Sequence, residues 1–119
     1  MVTNVSVPRF GQLVADVHQP ADRLVIRLRG ELDVSTAQGA FEVAVAALQA
    51  GVDRRVDLDL SDVTFCDSAG VRTLLDLQQH ASRRGGELCL IDASARVRRI
   101  FEILGFGDLL KDGSQPIAP

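Results

Sequence analysis

Cys66-Asp67-Ser68-Ala69-Gly70 sets a hydroxyl beside a carboxylate immediately ahead of an apolar-periodic run that begins at Val71. Junctions of this kind, where the chain enters a helix, are where ligands and modifications act in open α/β sheets. The plainest chemistry for Ser68 is an N-cap, its oxygen accepting a hydrogen bond from a first-turn amide. A second is nucleophilic attack, because Gly70 fits the last position of a G-x-S-x-G elbow, although Cys66 stands at the first. No base completes that elbow. His80 follows on the same expected helix, about 18 Å away at 1.5 Å per residue. His18 belongs to an early amphipathic strand and reads as a surface residue. The chain is therefore expected not to be an enzyme.

A third chemistry is to receive a phosphoryl group. A phosphate on Ser68 adds about −1.5 to −2 charges at a helix N-terminus, where the dipole and the free amides favour an anion. Asp67 opposes it, and Arg72, four residues on and on the same helical face, is placed to pair with it. The domain itself need not refold. A partner laid over the helix would meet a strongly hydrated charge, and its binding would fall by about several kcal/mol.

Other constellations are weaker. No G-x-x-x-x-G-K or G-x-G-x-x-G phosphate loop is present, and the single lysine, Lys111, lies near the end. Asp57, Asp59, Asp62 and Asp67 invite a metal or aspartyl-phosphate pocket. Alternation, however, puts Asp57 and Asp59 on the outer face of a strand, where solvated charge is the simpler account. Cys66 and Cys89 stand far apart, without a C-x-x-C or a histidine at ligand spacing, and read as small hydrophobes of a reducing compartment. Neither cofactor nor metal is expected.

Composition narrows the partners. The 119 residues are 46% hydrophobic and 24% charged, which suits one ordinary domain. A chain of this size hides roughly two thirds of its extended surface, enough for a core without staples. Net charge −3, no Trp, no Tyr and five Phe give neither a basic footprint nor stacking platforms for nucleic acid. No apolar run approaches the roughly 20 residues of a membrane span, and no apolar leader opens the chain, so a cytoplasmic location without membrane contact is expected.

The elements that must hold Ser68 in place follow from periodicity. Residues 1–11 read as a loose lead-in. Gln12 to His18 and Arg23 to Arg29 alternate apolar and polar residues and read as strands joined by Gln19-Pro20-Ala21-Asp22 into an antiparallel hairpin. Ser35 with Gln38 suggests a capping box for a helix from near Thr36, with Phe41, Ala44, Val45 and Leu48 inward and Gly51 as its stop. Val56, Leu58 and Leu60 mark a third strand. Ser61 to Ser68 reads as a loop that re-enters the core at Val63 and Phe65. Ala69 to Arg84 reads as a helix with Val71, Leu74, Leu75 and Gln78 inward, stopped by Gly85-Gly86. Leu88 to Ile91 suits a covered strand. Ser94 caps a helix with Val97, Ile100, Phe101 and Leu104 at i, i+3, i+4 and i+7, and Leu109-Leu110 adds a short closing element. The order β-β-α-β-α-β-α implies one α/β domain over residues 12–110, a small mixed sheet opened by a hairpin and continued by βαβ units with helices packed on it. Residues 111–119 read as a tail.

Three segments then share a pattern. They are Gly30-Glu31-Leu32-Asp33 leading to Thr36-Ala37, Val63-Thr64-Phe65-Cys66-Asp67-Ser68-Ala69-Gly70, and Gly85-Gly86-Glu87-Leu88 followed by Val97-Arg98-Arg99-Ile100-Phe101 and Leu104-Gly105. On these the chain resembles the STAS domains and, among them, the bacterial anti-sigma factor antagonists. The resemblance implies that Ser68 is phosphorylated by a partner anti-sigma factor that is itself a serine kinase. It implies that the bare form binds that partner and frees the sigma factor, that the phosphorylated form lets go, and that a PP2C-type phosphatase resets it. It makes Asp33 a partner or kinase-recognition contact, with a helix-start role as the alternative, and places Asp67, Ala69, Gly70 and Arg72 at the docking face. Ala69 stands where many members have a second hydroxyl, and Val71-Arg72 where Leu-Gly is common. The bulk and charge of Arg72 bear on which partner fits and leave the acceptor untouched. A STAS accessory module of a transporter or lipid-trafficking complex, in which Ser68 is only a cap, is the other class left open by the residues.

Overall fold

Alternating side chains build the first half of the sheet and βαβ crossovers the second. The structure, a computed structural model, describes residues 4–6, 13–20, 23–50 and 55–112. In chain order these form β1 (Asn4–Ser6), β2 (Leu13–His18), β3 (Arg23–Leu32), α1 (Ala37–Ala50), β4 (Arg55–Cys66), α2 (Ser68–Arg83), β5 (Glu87–Ile91), α3 (Ala95–Ile103), a 3₁₀ turn (Gly107–Leu109) and β6 (Leu110–Lys111). The strands make a six-stranded sheet in sequence order. β1, β2 and β3 pair antiparallel; β3, β4, β5 and β6 pair parallel. The expected mixed sheet with a hairpin opening is the one observed. The expected lead-in holds a strand of its own, because Asn4–Ser6 pairs with β2; three residues are too few to show a period. Lys111, assigned to the tail, closes β6, and residues 113–119 lie outside the described set.

One face of the sheet carries the core. Leu24, Ile26, Leu28, Val56, Leu58, Leu60, Leu88 and Leu90 are buried in a single cluster with Ala40, Ala44 and Leu48 of α1, Leu74 and Leu77 of α2, and Val97 and Phe101 of α3. Within α2 the inward stripe is Gly70, Val71, Leu74, Leu77 and Ala81. Leu75 only flanks the cluster, and Gln78 reaches sideways to donate to the Leu88 carbonyl at 3.4 Å. Ser94 caps α3 as expected, accepting from the Val97 amide at 3.3 Å, and Gly105 ends that helix with φ +87°. Among the described residues no helix is long and apolar enough to cross a membrane.

β4 differs most from expectation. It runs through Cys66 as strand, where residues 61–68 read as a loop. Two register shifts against β3, between Arg27 and Arg29 and between Gly30 and Glu31, each let β4 take up an extra residue. Burial then recurs at Leu60, Val63 and Cys66, every third residue, and the two-residue signature disappears. Aspartate and threonine side chains hold the irregular stretch: Asp59 accepts from the Ser61 amide at 2.9 Å, and Thr64 Oγ1 donates to the Gly30 carbonyl at 3.2 Å. Phe65, expected in the core, is turned outward and is 43% exposed.

The other sheet face corrects the reading of Asp57 and Asp59 as solvated. They do point away from the core, but they are buried beneath arginines. Asp57 meets Arg55 at 2.6 Å and Arg23 at 3.4 Å; Asp59 meets Arg27 at 3.1 Å; Asp16 meets Arg29 at 3.0 Å. The register explains this, since Asp57 lies opposite Val25 and Asp59 opposite Arg27 on β3, with Asp16 beyond on β2. Apart from Arg55, which precedes Asp57 by two residues on β4, the cations come from a neighbouring strand, a pairing that spacing along one strand cannot show.

Candidate functional site

The C-terminal ends of β3 and β4 bring the candidate residues together. Leu32 pairs with Cys66, and the Asp67 amide donates to the Leu32 carbonyl at 3.3 Å, so Asp33 and Asp67-Ser68 emerge side by side at one end of the sheet. Asp67 keeps extended backbone angles, φ −102° and ψ −176°, and its carboxylate accepts from the Gly70 amide at 2.9 Å. Asp67 is therefore the N-cap of α2. Ser68, expected as the cap on the plainest reading, is the first helical residue. It is exposed, and its hydroxyl hydrogen-bonds to no described residue.

Gly70 fixes how closely this junction packs. A Cβ placed on it would lie 2.6 Å from the Leu32 carbonyl oxygen and 2.9 Å from Cys66 Sγ. The first of these neighbours is backbone and has little room to give way. Gly70→Ala is accordingly expected to cost about 1–3 kcal/mol through overpacking, despite alanine's better helix propensity. Urea denaturation checks this; a variant as stable as wild type would contradict the close approach.

Asp33 organises the start of α1. Its Oδ1 accepts from the Ser35 hydroxyl at 2.7 Å, the Ser35 amide at 2.9 Å and the Thr36 amide at 3.2 Å. The hydroxyl bond from Ser35, the largest influence, outweighs the opposing effect of desolvation and with the smaller contributions of the Ser35 and Thr36 amides holds the Asp33 carboxyl below the usual carboxylate range. Thr36 is buried, donating to the Glu31 carbonyl at 2.8 Å and accepting from the Asp33 amide at 3.0 Å. The Ser35–Gln38 capping box does not form. Ser35 donates to Asp33, and Gln38 turns to Glu42 at 3.1 Å.

The other nucleophiles and bases fall away. Cys66 is buried, and burial, with a smaller push from Asp67, drives its thiol up to about 12, so it stays protonated and inert. Cys89 is half-buried and its thiol is also shifted upward, chiefly by burial. His80 sits on α2 with its ring edge-on to Phe41 at 6.2 Å. Among the described residues no group of three or more His, Cys, Asp or Glu is placed to hold a metal.

Around Ser68 lies a groove of about 330 Å³ lined by Ser68, Val71, Arg72, Leu75, Asp76, Gln79, Leu104 and Phe106. Arg72 is exposed and has no ion pair with a described residue. Leu104 and Phe106 were not legible as site residues. Leu104 continues the α3 core stripe by spacing, yet as the C-cap it lies 39% exposed. Leu104 and Phe106 line the Ser68 groove, and exposed Phe65 and Ile103 line a second hollow, apolar surface of a kind that marks interaction sites. An exposed hydroxyl at a helix start, sharing a groove with Arg72, Leu104 and Phe106, can accept a phosphoryl group and present the result to a partner.

A family model for the STAS domain matches residues 12–118. Over 95 residues the chain is 32% identical to the anti-sigma-B factor antagonist of Bacillus subtilis (strain 168), covering 80% of this chain and 85% of that protein. The anti-sigma-B factor antagonist of Staphylococcus aureus (strain NCTC 8325 / PS 47) is 32% identical over 85 residues, 71% of this chain and 78% of the other. The solved structure of the anti-sigma factor antagonist SpoIIAA in its unphosphorylated form superposes with a TM-score of 0.68 at 25% identity, covering 85% of this chain and 89% of that one. An anti-sigma factor antagonist from Mycobacterium paratuberculosis shares the fold at a TM-score of 0.74 and 21% identity, covering 93% and 92%.

Proposed function

Because the chain belongs to the STAS domain family, and its curated relatives at 32% identity are anti-sigma-B factor antagonists, we propose that it is a cytoplasmic anti-sigma factor antagonist switched by phosphorylation of Ser68. In the bare form the start of α2 docks on an anti-sigma factor that is also a serine kinase, and the sigma factor is released. That kinase then joins the Ser68 oxygen to the γ-phosphorus of ATP as the bond to ADP breaks, the hydroxyl proton leaving to a base of the kinase. The new dianion disrupts the docked face and the complex separates. A PP2C-type phosphatase hydrolyses the phosphoester and restores the hydroxyl.

The observation that carries this reading is the division of labour between Asp67 and Ser68. Asp67 satisfies the helix start, which leaves the neighbouring hydroxyl exposed and unengaged. The remaining residues have supporting parts in the reading. Asp33 borders the docking face, Ala69 offers no second acceptor, Gly70 seats the helix against Leu32, and Arg72 faces the added phosphate. The accessory-module alternative cast Ser68 as only a cap, a role that Asp67 fills instead. Incubation of the full chain with ATP and the anti-sigma factor kinase, followed by peptide mass spectrometry, is expected to find one phosphate, on Ser68. A chain left unmodified, or modified at another residue, would overturn the proposal.

A further inference from the structure

Among the described residues the four arginines on the sheet are engaged by carboxylates: Arg23 and Arg55 by Asp57, Arg27 by Asp59 and Arg29 by Asp16. Those on α3 are not. Arg96 and Arg99 are exposed and make no hydrogen bond or ion pair with any described residue. Three residues apart, they share one helical face. Together they rim a notch of about 280 Å³ whose apolar lining is Phe65, Cys66, Ile100 and Ile103. Phe65 is 43% exposed there and Ile103 67%. The notch adjoins the Ser68 groove, since Ile103 lines the one and the next residue, Leu104, the other.

The geometry points to this notch as a second anchor for the partner that docks at Ser68, seating an acidic segment with one bulky apolar side chain. The apolar side chain enters between Phe65 and Ile103, and flanking carboxylates pair with Arg96 and Arg99. The inference rests on the reading of the chain as an antagonist, and it specifies the chemistry of the partner. Charge is the argument for that chemistry. In a chain of net charge −3, two guanidiniums without a partner among the described residues stand at the rim of an apolar notch. Guanidinium forks match carboxylates bidentately and lose less on leaving water than an ammonium does. A purely apolar occupant would leave both cations partly desolvated and without partners. The outward turn of Phe65, which follows from the β4 register shifts, gives the notch its aromatic wall.

The test uses the full chain with the anti-sigma factor serine kinase as probe. Arg96→Glu/Arg99→Glu is expected to weaken binding by at least about tenfold, through reversed charge at a partly desolvated contact. It should raise the KM for the chain as phosphoacceptor while leaving kcat within about twofold, because the reacting hydroxyl is not touched. Thermal unfolding should not fall, as both residues are exposed and unpaired among the described residues and a carboxylate at position 96, in the first turn of α3, is favoured by the helix dipole. Arg96→Gln/Arg99→Gln should give a smaller loss in the same direction. The equal charge change Arg83→Glu/Arg84→Glu, at the far end of α2, is the control and should leave binding within about twofold. Equal losses from both reversed pairs, or no loss from the first, would overturn the notch while wild-type Ser68 phosphorylation kept the antagonist reading intact. A kinase that neither binds nor phosphorylates the wild-type chain overturns both. Loss of self-association in place of kinase binding would assign the notch to a second copy of the chain and likewise overturn the inference.

Discussion

Ser68→Asp is expected to weaken the complex with the anti-sigma factor by about thirtyfold, roughly 2 kcal/mol, whereas Ser68→Ala should bind within about twofold of wild type and resist release by ATP. The asymmetry follows from the geometry. The Ser68 hydroxyl hydrogen-bonds to no described residue and Asp67 already caps α2, so removing the oxygen takes no hydrogen bond from the fold. A carboxylate at the same place sits in the first turn, where the helix dipole favours it by about 0.3–1 kcal/mol, less the repulsion from Asp67. Stability and binding should therefore part company, with Ser68→Asp folding about as well as wild type and docking much worse. Calorimetric titration with the kinase, set beside thermal melts of the three proteins, reads both quantities. Two variants that bind alike would leave the hydroxyl without a role in docking.

Much of the architecture was legible because it rests on local periods. The β2–β3 hairpin alternates cleanly, and α3 announces itself by Ser94, by its i, i+3, i+4 spacing and by Gly105. What stayed hidden depends on neighbours across the sheet. The second half of β4 reads as loop because register shifts against β3 change its burial period from two to three, and Phe65 was placed inside for the same reason. Asp57 and Asp59 point outward as the alternation says, but the pairing of β3 with β4 brings Arg23 and Arg27 over them, adding to Arg55 two residues before Asp57 on β4 itself.

The candidate site was legible as a location and not as an assignment of roles. Asp67 and Ser68 are both good capping residues, and spacing cannot choose between them. The choice is made where Asp67 bonds Leu32 and Gly70 nests against the same carbonyl, which ends the extended backbone at Asp67. The same non-local placement decides Asp33. Its carboxylate, rather than the Ser35 hydroxyl, gathers amides at the start of the helix, those of Ser35 and Thr36 just ahead of α1, with Thr36 drawn inward to the Glu31 carbonyl.

The largest loss of stability is expected from Asp57→Ala, about 3–5 kcal/mol, a substantial part of the roughly 5–15 kcal/mol that holds a domain of this size. The Asp57 side chain is fully buried, and its 2.6 Å partner Arg55 has a side chain only 6% exposed. Deleting the carboxylate leaves a guanidinium that water cannot readily reach. The penalty should shrink wherever the stranded arginine can turn to solvent. Arg27, 43% exposed, is the partner left behind by Asp59→Ala, and Arg29, 52% exposed, by Asp16→Ala. The expected order of destabilisation is therefore Asp57, then Asp59, then Asp16, with the last near the range of surface pairs at about 0–1 kcal/mol. Replacing both buried partners in Asp57→Leu/Arg55→Met should recover most of the first loss, because the only charge then left without its carboxylate is Arg23, whose side chain is 31% exposed and can turn to solvent. Urea denaturation of the four variants measures the series. Equal losses at all three aspartates, or a double variant no better than Asp57→Ala, would mean that desolvation of the stranded cation is not what sets the cost.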